Sequence, residues 1–230
     1  MVGMSRVVGT SGRREDLGGD AGADGLVTWR LAGVAVCVAP DADLAGGSVD
    51  RLGLEERIRD ESTPSDRRPA YRAGRLLLRH AVAQLGEDPG ELALSARCET
   101  CGGLHGRPRV THPVALRHLS LSVSHSQGVT AVAAATGRAI GIDLEARSDA
   151  GVPAMPDGFS TLAEWTRAEA VLKADGRGLR VDPLAVAVIE DAEGVHATIG
   201  SDRRRYRLVE PALLATHHLA VALAIDPPSG

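Results

Sequence analysis

The chain has 230 residues, 43% of them hydrophobic, enough to bury one large core or two smaller ones. Aromatic residues make up only 2%, so Ala, Val and Leu must fill the interior. A net charge of −4, with arginines and acids interspersed, speaks against a nucleic-acid footprint, and no apolar run reaches the ~20 residues of a membrane span.

Residues 1–25 are polar and rich in Gly, Asp and Arg, and read as a disordered leader rather than a signal peptide. The three cysteines, Cys37, Cys98 and Cys101, are an odd number with no export signal, which implies a reduced, cytoplasmic setting. Leu26–Val38 is apolar and β-branched and predicts a strand, with Pro40 ending it. Leu54–Asp60 predicts a short charged helix. Pro69–Leu85 predicts a longer one, with Asp66 near its start, Pro69 in the first turn and Gly86 after the end. Glu91–Ala96 alternates as a strand, and Cys98–Pro108 is a turn-rich loop.

Three apolar runs follow: Leu119–His125, Val129–Ala135 and Ala139–Leu144. Gln127-Gly128 and Thr136-Gly137 punctuate them, which predicts a β-meander. Gly151–Gly158 is a Pro/Gly-rich loop. Ser160–Asp175 predicts a helix with Ser160 as N-cap and Gly176 at the C-terminal end. Leu184–Glu190, Val195–Ile199, Arg205–Val209 and Leu219–Ile225 predict four more strands. This order predicts an α+β fold of two halves, 26–145 and 146–226, each packing one long helix on an antiparallel sheet, and meeting near 140–160.

Lys173 is the only lysine; the other 25 of the 26 basic residues are arginines. An ammonium can give up a proton and a guanidinium effectively cannot, so a lone lysine marks either amine chemistry or the residue of a codon bias. Glu169 lies one helical turn before it, so the two share a face, as a functional pair or a surface ion pair. Gly141-Ile142-Asp143-Leu144-Glu145 ends a strand, and its i, i+2 spacing puts Asp143 and Glu145 side by side. Two like charges so placed either sit in solvent or share a cation, and hard oxygens of this kind suit Mg²⁺. Cys98-x-x-Cys101, with His105 and His112 nearby, is a weak zinc signal, because a second matched pair is missing.

Taken in order, H-G-R-P at 105–108, S-V-S-H-S at 122–126, G-I-D-L-E at 141–145 and W-T-R-A-E-A-V-L-K-A-D-G-R-G-L at 165–179 resemble the 4′-phosphopantetheinyl transferases. The chain is most similar to the broad-range, single-chain type that activates nonribosomal peptide and polyketide synthases. The resemblance runs from about Val34 to Ile225 and includes R-x-x-Y-x-x-G-R-x-L-L-R at 68–79. It implies two α+β halves in pseudo-twofold arrangement, sufficient as a monomer, with coenzyme A in the cleft between them. The implied reaction moves the 4′-phosphopantetheine arm of coenzyme A onto a serine of an acyl or peptidyl carrier protein and leaves 3′,5′-adenosine bisphosphate.

Mapped onto this chain, the resemblance implies that Asp143, Glu145 and Glu169 hold Mg²⁺. Glu169, or a metal-bound water, takes the serine proton, and Lys173 contacts the phosphates and stabilises the leaving group. Arg107 and His125 match coenzyme A phosphate contacts, and Arg68, Arg72 and Arg75 are further candidates. In that family the C-x-x-C-G-x-x-H-G-[KR]-P stretch is a compact turn leading to the basic residue, here Arg107. Two departures stand out. Ala168 occupies a position that is usually lysine, with Arg167 before it. The 146–164 segment is short and Pro/Gly-rich where the family carries a helical stretch that helps dock the carrier. They keep open a coenzyme A-binding protein that no longer transfers. The carboxylates alone would equally suit a metal-dependent hydrolase of another diphosphate.

Overall fold

The computed structural model describes residues 20–21, 25–44, 49–147 and 156–225. Most of the expected leader, and residues 151–155 of the expected loop, lie outside the described residues. Asp20–Ala21 (β1) nonetheless pairs antiparallel with Val27–Leu31 (β2). The single strand expected over Leu26–Val38 is a hairpin: β2 turns at Ala32-Gly33, with Gly33 at φ +71°, into Val34–Pro40 (β3). Every residue of β3 up to Ala39 is buried, so its apolar run carries no alternation to betray the turn.

Asp41–Leu44 (α1) and Leu54–Ser62 (α2) precede the long helix Arg68–Gln84 (α3). The Glu56 carboxylate ties α2 to its neighbours. It accepts two bonds from Arg79 (3.1 and 2.8 Å) and others from the amides of Gly53 and Leu94. These amides satisfy the remaining lone pairs of the buried carboxylate, while Arg79 Nε is left without a partner. Ala93–Ser95 (β4) pairs with Arg109–His112 (β5), a short strand at the end of the loop that the sequence pattern does not reveal.

Leu119–Ser126 (β6) and Val129–Thr136 (β7) form the expected hairpin. Ile140–Ala146 (β8) does not continue it. Instead β8 pairs with the last strand, and the second sheet begins at Ile140 rather than after residue 145. Helix α4 is Leu162–Asp175, followed by Val186–Asp191 (β9), Gly194–Ile199 (β10), Arg205–Val209 (β11) and His217–Ile225 (β12). The five-stranded sheets run β1-β2-β3-β7-β6 and β8-β12-β11-β10-β9, with every pairing antiparallel.

Strand alternation sorts the interior into three cores. Ala35, Cys37, Val132 and Ala134 face α3 through Leu77, Leu78 and Ala81. Ala220 and Ala222 face α4 through Ala170, Val171 and Ala174. The opposite faces of both sheets share a third core of Val34, Val36, Ala133, Ile140, Ile142, Leu144 and Val221. The layers therefore run helix, sheet, sheet, helix.

The edges β6 and β8 also meet side by side. Serines stand at every second β6 position, and three of the four accept β8 amides: Ile140 on Ser120 (3.0 Å), Ile142 on Ser122 (3.1 Å) and Ala146 on Ser126 (3.0 Å). Side chains thus close a parallel seam that backbone carbonyls would close in an ordinary ladder. Gly141 lets α4 lie directly on β8, because a Cβ there would run into the Ala170 carbonyl oxygen and the Ala174 nitrogen. Gly141→Ala is expected to lower stability by about 3 kcal/mol in urea unfolding, since backbone rather than a flexible side chain must move.

Candidate active site between β8 and α4

Because Ile142 and Leu144 point into the shared core, Asp143 and Glu145 point at α4. Helix α4 starts with a reciprocal cap. Thr161 Oγ accepts the Glu164 amide (3.2 Å), and the Glu164 carboxylate accepts the amides of Thr161 (3.2 Å) and Ser160 (2.8 Å). The cap is therefore Thr161, one residue after the expected Ser160; both carry hydroxyls, and only the second has Glu at N3. Gly176, at φ +88°, ends the helix.

One turn apart, Glu169 and Lys173 face the acids of β8. Lys173 Nζ donates to Asp143 Oδ1 (2.6 Å) and to Ser124 Oγ (3.0 Å), while Ser124 Oγ donates to the same Asp143 oxygen (2.8 Å). Glu145 accepts from Ser126 Oγ (3.3 Å). Burial pushes the Glu145 carboxyl above its ordinary range; the Asp143 charge adds to this, and Ser126, Trp165 and Lys173 oppose it. Burial also raises Glu169, against the pull of Lys173 and with the push of Asp143 and Glu145. Asp143 is 3% exposed, and its Oδ2 is buried without a partner.

Three carboxylates thus face a single ammonium, with one buried oxygen unsatisfied. Hard oxygen donors with uncompensated charge fit Mg²⁺. Among the described residues, the two clusters of metal-type ligands already within 4.8 Å of one another lie elsewhere: Cys98, Cys101 and His105, and Asp191, Glu193 and His196. At Asp143 the counterion in place is the Lys173 ammonium.

A cavity of about 430 Å³ meets this cluster at Lys173 of α4; its wall also includes Tyr71 and Arg75 of α3 and Ser122 and His125 of β6, while Asp143, Glu145 and Glu169 do not line it. Past His105, Gly106 and Arg107 it adjoins a second cavity of about 660 Å³, where Arg97, Arg109 and Arg177 line the wall.

The remaining candidate residues divide by what they touch. Arg75 lines the first cavity, stacks its guanidinium over the Tyr71 ring at 4.9 Å, and keeps a buried Nη1 without a partner. His125 borders the same cavity. Its Nδ1 meets Thr130 Oγ at 2.8 Å, and that hydroxyl gives its own proton to Asp41, so Nδ1 carries the hydrogen. The ring keeps exposed surface along the cavity, but the protein packed around it pushes His125 down to about 4, against the pull of Asp41. It is therefore neutral at pH 7 and offers Nε2 as an acceptor; it would donate to a phosphate only after taking a proton.

Arg107 borders both cavities, yet its guanidinium is committed to the fold. It donates to Leu121 O (3.1 Å), Ser120 Oγ (2.6 Å), Ile140 O (2.7 Å) and Ala174 O (3.5 Å), linking β6, β8 and α4. Arg72 makes a two-pronged pair with Asp60 (2.9 and 2.7 Å), and Arg68 donates to the carbonyls of Thr63 (3.0 Å) and Glu61 (3.4 Å) at the end of α2. Neither lines either cavity. Arg167 is held by Glu210 (3.0 and 2.6 Å), and Ala168 is buried, so neither supplies the missing cation. Sequence reasoning missed Tyr71 as the platform for Arg75. The period-two serines 120, 122, 124 and 126 were the available signal for the seam.

The raised carboxyls give a pH signature. A folded-state pKa above the unfolded value means that the native state holds extra protons between the two, so stability falls as pH rises through that window. Glu145→Gln and Glu169→Gln are each expected to raise Tm at pH 7 in metal-free buffer. The gain should shrink as pH drops below the ordinary glutamate range near ~4.3, and thermal melts across pH measure it.

Scanned against protein-family models the chain matches none, and a search of curated proteins finds no match.

Proposed function

We propose that this protein transfers the 4′-phosphopantetheine arm of coenzyme A to a serine of an acyl or peptidyl carrier protein. The observation that carries this reading is the meeting of Asp143, Glu145, Glu169 and Lys173, distant in sequence, beside a cavity between the two helix-on-sheet units. On this reading the two units are pseudo-twofold related, and coenzyme A occupies the cleft between them.

Asp143, Glu145 and Glu169 would hold Mg²⁺. When bound, the ion neutralises the diphosphate and the charge that develops during transfer. Arg75, which lines the cavity and whose buried Nη1 has no partner in the protein, binds a phosphate oxygen. The carrier serine Oγ forms a bond to the phosphorus that bears the pantetheine arm, and the bond from that phosphorus to the bridging oxygen breaks. The serine proton passes to Glu169, whose burial favours the protonated form. The electron pair leaves on 3′,5′-adenosine bisphosphate, where the Lys173 ammonium stabilises the new charge. Ser124 and Asp143 orient that ammonium, and Ser126 fixes Glu145.

The test is labelling of an apo carrier protein with fluorescent coenzyme A and Mg²⁺. Wild type labels, and Glu145→Ala or Lys173→Ala lowers the rate at least ~10²-fold, the loss typical of one preorganised charge. Full labelling by both variants would remove the assignment, and nucleotide release without a carrier would point to hydrolysis. A second expectation separates the arginines. Arg75→Ala raises KM for coenzyme A about ten-fold or more, as for a lost charge-assisted bond. Arg72→Ala, which frees only Asp60, leaves KM within about two-fold and lowers Tm instead.

A further inference from the structure

The transfer reaction makes no use of the Cys98–His105 loop, yet this loop is built like a metal knuckle. Cys98 Sγ, Cys101 Sγ and a His105 ring nitrogen lie within 4.8 Å of one another. Cys101 Sγ and His105 Nε2 are already 2.9 Å apart. Backbone bonds close the turn around them: Gly102 N to Cys98 O (2.9 Å) and Cys98 N to Gly103 O (2.7 Å).

The glycines follow from this closure. Gly102 sits at φ +72°, which favours glycine. At Gly103, a Cβ would stand 3.0 Å from the His105 ring and 3.4 Å from Cys101 Sγ. A side chain at Gly103 would therefore crowd two of the ligand side chains.

We propose that Cys98, Cys101 and His105 bind one Zn²⁺, with the fourth position open to solvent from the adjoining cavity. Two soft thiolates and an imidazole select zinc over the hard cation suited to Asp143 and its neighbours. Binding displaces one proton from each thiol into solvent and involves no change of oxidation state. Zn–S near 2.3 Å and Zn–N near 2.0 Å set a tetrahedral S···N edge of about 3.6 Å. The 2.9 Å contact must open by less than about 1 Å to admit the ion, and both side chains belong to exposed residues that can turn. Cys98 and His105 both line the arginine-walled cavity, and His105 lines the first one too. The ion would thus rigidify the loop that delivers Arg107 to the seam between the sheets. The site stands on its own geometry and does not depend on the transfer reaction.

The test uses the full chain, reduced, stripped with chelator and titrated with ZnCl₂ against a chromophoric competitor, with CoCl₂ as a spectroscopic probe. The expected result is one tight equivalent per chain and a thiolate-to-Co²⁺ absorption band. Cys98→Ser and Cys101→Ser abolish the band, and His105→Ala weakens binding at least ~10²-fold, since even outer partners of a metal ligand cost up to that much. His196→Ala, at the other ligand cluster, changes nothing. Added zinc raises Tm of wild type and not of the Cys98→Ser/Cys101→Ser double variant, whose far-ultraviolet circular dichroism matches metal-free wild type. Zinc binding by the double variant equal to that of wild type would overturn the site. So would a reduced chain that retains no zinc, or one that only oxidises to a Cys98–Cys101 disulfide.

Discussion

The seam between β6 and β8 is the constraint on which the rest of the molecule depends. Unpaired amides along β8 would be costly once buried, and serine hydroxyls of β6 accept those of Ile140, Ile142 and Ala146 from the neighbouring sheet. Because the hydroxyls recur every two residues, they fix one register: each accepted amide lies 20 residues beyond its serine. That register sets Ile142 and Leu144 into the shared core and turns Asp143 and Glu145 outward to α4. Arg107 locks the end of the seam by bonding β6, β8 and α4 at once. The two sheets cannot slide without taking Ser124 and Ser126 off the acidic pair.

What the seam assembles is electrostatically uncomfortable without a ligand. Burial and mutual repulsion disfavour the charged forms of Glu145 and Glu169, and Asp143 satisfies only one of its two oxygens. The Lys173 ammonium relieves part of this by resting on Asp143. Stability is therefore given up at the place where a cation and an anionic substrate would recover it, a common relation between a fold and its site. Arg75 repeats the logic with opposite sign: the side chain lines the cavity and one of its guanidinium nitrogens is buried without a partner.

Much of this was legible in the sequence, because spacing alone decides it. The i, i+2 step put Asp143 and Glu145 on one face, the i, i+4 step put Glu169 and Lys173 on one face, and both hold. Gly176 ends α4 where its backbone freedom predicts. The departures have physical causes. The β2–β3 turn hides inside an apolar run, because β3 is buried on both faces and lacks alternation. The third apolar run looks like the next strand of a meander, since Thr136-Gly137 is a good turn; which sheet β8 joins is decided by β12, about 80 residues away, and no local signal reports it. The arginines were hardest to read. A guanidinium seeks any acceptor, and the sequence does not say whether that acceptor is a substrate phosphate, as proposed for Arg75, or Asp60, as for Arg72. Arg107 illustrates the same ambiguity, for it lines the cavity while facing four protein oxygens.

The solitary Lys173 has a practical corollary. With every other basic side chain a guanidinium, a reagent selective for ε-amines meets a single side-chain target in these 230 residues, and that target rests on Asp143 at the cavity wall. Mass-spectrometric readout of one acylated or methylated position would follow ligand entry directly, with no background from surface lysines to subtract.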